Sequence, residues 1–241
     1  MTSSRAAVQL GTALAFGVGI GLPIVGSTLG VAYAQMAPLE KYLSADRNAE
    51  VDLARSAAPA AISLHATVLV LTARGYETAA QGTNGFTCLV ERSWMSPFDS
   101  PDFWNWKLRG PVCYNGPASH TVLRYSIFRT AMALAGESKA RMLERLQTAV
   151  ADNRLPRAEA GSMAYMLSKQ QYLGDAAKAW HPHLMFYAPK ADGANAGASW
   201  GADRGGSPVV FDSSDHLMPE PWALFFVPVS HWSDGSPAPT T

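Results

Sequence analysis

The chain carries no excess of either charge: 19 Lys and Arg residues stand against 19 Asp and Glu among 241 residues, and the basic residues do not cluster. Without a basic patch there is no electrostatic footprint for nucleic acid or an anionic membrane surface, so nucleic-acid partners are excluded. Cysteine is scarce, with only Cys88 and Cys113, and there is no C-x-x-C pair. H-E-x-x-H, a P-loop and a G-x-G-x-x-G ahead of a helix are all missing. Gly136 to Ala140, GESKA, approaches G-x-S-x-G, but it sits between two helical stretches, where a nucleophile elbow needs a strand before it and a helix after. No internal repeat is present. What remains is a globular composition, 48% hydrophobic and 16% charged.

After Arg5 the chain runs without charge through LGTALAFGVGIGLPIVGSTLGV to Ala32-Tyr33-Ala34, a small-residue cleavage pattern ahead of Gln35. Residues 1–34 read as a secretory signal peptide. The competing reading is a retained anchor, since no charge intervenes before Glu40 and a span needs only about 20 apolar residues. Pro23, the glycines between Gly17 and Gly30 and the A-x-A pattern weigh against it. The mature chain is then exported to the periplasm or beyond, with no membrane association after cleavage. In an oxidising compartment, Cys88 and Cys113 are read most simply as a disulfide. The alternative, a reactive Cys88, finds no adjacent base in GFTCLVE.

Leu39 to about Ala58 has helical composition, stopped by Pro59. Ala66 to Thr72 is a short β-branched run that reads as a strand buried on both faces. Asn84-Gly85, between YETAAQ and FTCLVERS, is a hairpin signal. Helical spacing follows from Thr121 to Leu134, with Gly136 as C-terminal cap, and again after Ser138, an N-cap for a stretch with Met142, Leu146 and Val150 on one face. Strand-like stretches return at SMAYMLS, HLMFYA, PVVF and WALFFVPV. The pattern predicts an α+β fold: one domain over residues 35–232, an antiparallel or mixed sheet of about six strands with helices packed on one face. Residues 233–241, SDGSPAPTT closed by its two threonines, read as a disordered tail.

Taken in order, GTNGFTCLVE, GPVCYN, SMAYMLSKQQYL and HPHLMFY carry a recognisable arrangement: TNG-aromatic-T-C over Thr83 to Cys88, a second cysteine after a Pro-containing turn at Gly110 to Cys113, M-x-Y-M at Met163 to Met166, and P-H-L-M at Pro182 to Met185. The chain in this respect resembles an uncharacterised family of exported bacterial proteins without an assigned activity. The resemblance implies export and a single domain, and brings no mechanism.

Two stretches could carry function. His181 and His183 flank Pro182, and in an extended chain their side chains leave the same face, where they could chelate a divalent metal with a third ligand such as His216, His231 or Asp212. The plainer reading is a turn histidine and a packed strand-end histidine, preceding a strand buried by Leu184 and Phe186. Between the cysteines, Trp94, Phe98, Phe103, Trp104 and Trp106 form an aromatic excursion tied off by the disulfide. Such a loop suits a small-molecule or protein ligand, or its rings fold back to extend the core. Two functions follow: a non-catalytic ligand- or partner-binding protein, which leads, and a metal-assisted hydrolase using His181 and His183. No cofactor other than a divalent metal is suggested.

Overall fold

The β-branched run Thr67–Thr72 forms the first strand, β1, of an eight-stranded sheet in the computed structural model of the protein. The structure describes residues 33–176, 178–189, 209–211 and 218–239, which fall within one compact unit, Val31–Thr241. The expected signal peptide lies outside the described residues but for Tyr33 and Ala34, as do Asp212 and His216. None of the described helices is long and apolar enough to cross a membrane.

The helix expected from Leu39 to Ala58 is divided. A 3₁₀ turn at Leu39–Lys41 precedes α1, Arg47–Arg55, which starts where the Asp46 carboxylate accepts the backbone N–H groups of Asn48 and Ala49. A single turn, α2 (Ala60–Ser63), leads into β1. Then come β2 (Gly75–Ala80), β3 (Thr87–Glu91), β4 (Gly110–Tyr114), α3 (Gly116–His120), α4 (Leu123–Leu134) and α5 (Lys139–Ala151). The last strands are β5 (Met163–Met166), β6 (His183–Pro189), β7 (Val209–Phe211) and β8 (Trp222–Pro228). Ser138 accepts the Arg141 N–H to start α5, and Gly136, at φ +73°, ends α4 in the left-handed conformation that favours glycine.

The strand order is β2-β1-β3-β4-β5-β6-β8-β7, mixed because β1 and β3 run parallel while the other pairs are antiparallel. The α+β class holds, with two strands more than the approximate expectation. The Asn84-Gly85 expectation is corrected. Gly85 does adopt φ +78°, and Asn84 accepts the Phe86 N–H while donating to the Ile62 carbonyl. The turn it makes is no hairpin, because β1 stands between β2 and β3; the hairpin is β1–β2, closing at Thr72 and Gly75.

Alternation along β3 and β4 divides the core in two. Cys88, Val90 and Cys113 face Ala54 of α1 together with Ala57 and Ala58, small residues that let the helix approach the strands closely. Leu89, Val112 and Tyr114 face the other way, into a larger core with Leu123, Tyr125 and Met132 of α4 and Met142 and Leu146 of α5. The larger helical layer therefore covers one face, and α1 covers part of the opposite one.

On β6 the expected buried face is reversed. His183, Met185 and Tyr187 point into the core, whereas Leu184 is half-buried and Phe186 is 39% exposed. Every residue from Leu184 to Ala188 is apolar or aromatic, so hydrophobic alternation gives no parity; the covering layer decides it. The tail is also corrected over residues 233–239. His231 bridges Pro237, the Ser233 N–H donates to the Leu167 carbonyl at 2.9 Å, and Asp234 pairs with Lys169 at 2.9 Å.

Candidate functional site: a cavity over Glu91

β3 ends on a carboxylate. Because Glu91 has the parity of Leu89, its side chain projects onto the face covered by α4, and its cross-strand neighbour is Gly110, which places no side chain beside it. Above this position lies a cavity of about 320 Å³. Its walls are largely apolar: Met166, Met185, Trp222, Leu224 and Phe226 from the sheet, Val122 and Tyr125 from the α3–α4 region, and Leu173 from the connection between β5 and β6. The excursion between the cysteines closes one side with Met95, Ser96, Pro97 and Leu108. Trp180, 41% exposed, forms part of the rim and meets Phe226 edge-on at 5.7 Å.

Besides Glu91 and Glu220, the polar groups of this wall include Arg92, Asp102 and the hydroxyls of Ser96, Ser100 and Ser126. Glu91 Oε1 accepts hydrogen bonds from Tyr114 Oη and Ser126 Oγ, each at 2.6 Å. Burial pushes the Glu91 carboxyl above its usual pKa, against the opposing effect of the two hydroxyl donors. Burial and then the Glu91 charge hold the Tyr114 phenol far above its ordinary value, so it remains protonated and donates. No Lys, Arg or His among the described residues forms an ion pair with Glu91. Its neighbour Arg92 is fully buried and spends its donors on the Tyr42 and Val90 carbonyls and on Glu50 of α1, 2.7 Å away.

A second carboxylate, Glu220, reaches the cavity ahead of β8. Its Oε1 accepts from Arg129 Nη2 of α4 at 2.5 Å, while its Oε2 is buried without a partner. Arg129 also donates to the Trp94 and Ser96 carbonyls and stacks over the Phe98 ring at 4.3 Å. The excursion is thus anchored from inside by a guanidinium.

That anchoring explains the five aromatic residues. Trp94, Phe98, Phe103 and Trp104 are buried, and Trp106 is half-buried under the Lys41 ammonium. The Trp94 indole donates to Thr130, and Phe103 packs edge-on against Trp104 at 4.8 Å. None of the five lines the cavity. The expectation of an exposed aromatic face is therefore corrected: the rings extend the core, and other residues of the same loop reach the cavity.

The histidines divide as well. His183 is 3% exposed, and its Nδ1 lies 2.7 Å from the His181 carbonyl oxygen. Its Nε2 is buried without a partner, behind Trp180 and Phe226, and burial lowers its pKa. His231 Nδ1 pairs with Ser230 instead. Among the described residues no group of three or more His, Cys, Asp or Glu side chains is placed to hold a metal ion. The cysteines do meet: Cys88 and Cys113 form a disulfide.

Sequence reasoning missed Glu91, Tyr114, Ser126 and Glu220. A usable indication was there for the first two. With Cys88 opposite Cys113, counting outward along antiparallel strands sets Glu91 opposite Gly110 and Tyr114 opposite Thr87, all on the face away from the disulfide. Compared with known proteins, the chain matches no family model, no curated protein and no solved structure.

Proposed function

We propose that the chain is an exported, non-catalytic protein that binds a small, mainly apolar molecule in the cavity over Glu91. The observation that carries this reading is the composition of the wall: mainly apolar side chains, interrupted by a carboxylate held between two hydroxyls, a second held by Arg129, and a third, Asp102, that accepts from Asn105. Ligand sites are typically concave and apolar, with a few placed polar groups that fix orientation, and about 320 Å³ falls at the lower end of their range. The cross-strand disulfide closes the loop that forms one side of the cavity, which suits a site that must keep its shape outside the cell. Export is further supported by the A-x-A pattern before Gln35.

The test is titration with N-phenyl-1-naphthylamine, a neutral probe whose emission rises in apolar surroundings. Saturable enhancement is expected, and Met185→Trp, which fills the cavity from β6, should remove it while leaving the far-UV circular dichroism unchanged. Enhancement that persists undiminished in a folded Met185→Trp protein would place the probe elsewhere and overturn the reading. Export is checked separately, by Edman sequencing of protein recovered outside the cytoplasm, with Gln35 expected as the first residue.

A further inference from the structure

We propose that the ligand of this cavity presents a protonated basic nitrogen on its apolar body and that Glu91 receives that nitrogen; this rests on the ligand-binding reading above. The charges around the cavity are the reason. Arg92 is matched by Glu50, and Arg129 by Glu220, so both guanidinium groups near the wall are already paired with carboxylates. Glu91 has no such partner among the described residues. Its two hydrogen bonds, from Tyr114 and Ser126, both arrive at Oε1, which fixes the carboxylate and leaves Oε2 to accept from something else.

The second observation is independent. Glu220 lines the same cavity, is 5% exposed, and keeps Oε2 buried with no hydrogen-bond partner even though Oε1 is paired. A buried carboxylate oxygen without a donor costs free energy, and a ligand N–H can supply the missing donor. The surrounding rings fit the same chemistry. Tyr125 and Tyr187 both meet Trp222 nearly perpendicular, at 4.5 and 5.7 Å, so the wall presents aromatic surface to which a cation is attracted. An anionic head would face three carboxylates, Glu91, Asp102 and Glu220, while Arg92 and Arg129 are already paired. A neutral head would leave the half-buried Glu91 with its two hydroxyl donors alone and no counter-charge.

Three molecules of one shape separate the possibilities by isothermal titration calorimetry: 1-naphthylmethylamine, 1-naphthalenemethanol and 1-naphthaleneacetate at pH 7.5. The amine is expected to bind at least about tenfold more tightly than the alcohol, the charge-assisted contact being the stronger one, and the acetate to show no heat of binding. Glu91→Gln should bring amine and alcohol to similar affinity. Equal affinities in the unmodified protein, or binding of the alcohol without the amine, overturn the cationic ligand and leave the apolar cavity standing. A full amine preference retained in Glu91→Gln removes Glu91 from the role. Failure of all three molecules, together with failure of N-phenyl-1-naphthylamine, overturns the ligand-binding reading itself.

Discussion

Cys88 and Cys113 stand directly opposite each other on adjacent antiparallel strands, their Cα atoms 4.0 Å apart and their side chains buried under α1. The bond joins two strands that the sheet already pairs, so its main effect is on the unfolded chain, where it closes a loop of 25 residues. On the chain-entropy model this contributes about 3 kcal/mol. The double variant Cys88→Ala/Cys113→Ala should lose stability of this order in urea denaturation, with its secondary structure retained. Thiol titration of the denatured, unreduced wild-type protein should find no free cysteine. A titre of two thiols per chain would contradict the bond outright.

The helices α4 and α5 were legible because their caps and apolar spacing are local: Ser138 and Gly136 mark the boundary whatever the tertiary structure. The disulfide was legible from count and compartment. β6 was not readable in the same way, since its side chains are apolar on both faces, and its buried side is set by the cavity layer and by α1 stopping short of this end of the sheet. The five rings of the excursion were visible as aromatic residues, but not their direction, which Arg129 fixes from 35 residues away by holding the Trp94 carbonyl. Glu220 is held at the site by that same arginine, and no spacing along the chain announces such a contact.

Arg129 joins the excursion, α4 and Glu220 in a buried set of bonds, so removing it does more than delete one ion pair. Arg129→Met leaves Glu220 buried without its cation and the Trp94 and Ser96 carbonyls without their donor. The expected loss is about 3–5 kcal/mol, the range for a buried pair broken from one side. Glu220→Gln keeps an acceptor for Arg129 and should cost less. The double variant Arg129→Met/Glu220→Leu should recover much of the loss. Chemical denaturation decides it, and a small, equal loss for both single variants would mean that the pair does not hold the loop.

His183 gives the fold an acid-sensitive point. Burial lowers its pKa, its Nδ1 is taken by the His181 carbonyl, and Nε2 faces no acceptor. A histidine whose folded pKa lies below its unfolded value contributes stability at higher pH. That contribution is lost as the pH falls below about 6.5, the unfolded value, toward the folded one. Melting temperatures measured from pH 8 to pH 5 should therefore fall in the wild type more steeply than in His183→Leu. Parallel profiles for the two proteins would assign the acid sensitivity to other groups.

Glu91 works in the opposite sense. Its carboxyl is raised by burial, with Ser126, Tyr114 and Arg129 opposing that shift and Glu220 adding to it. A carboxyl with a raised folded pKa favours the folded state below its unfolded value, about 4.3, and that advantage is lost as the pH rises through the folded pKa. Ionisation of Glu91 is then less favourable in the folded protein than in the unfolded chain. Glu91→Gln retains an oxygen for the Tyr114 and Ser126 hydroxyls and removes the charge, so it should match the wild type in thermal stability near pH 4 and exceed it at pH 8. Adding 1-naphthylmethylamine at pH 8 should close that gap by stabilising the wild type more than the variant, because only the wild type gains an ion pair on binding. A variant less stable than the wild type at pH 8 would show that the ionised carboxylate is already well compensated by its two hydroxyls, and that the cavity has no need of a cation.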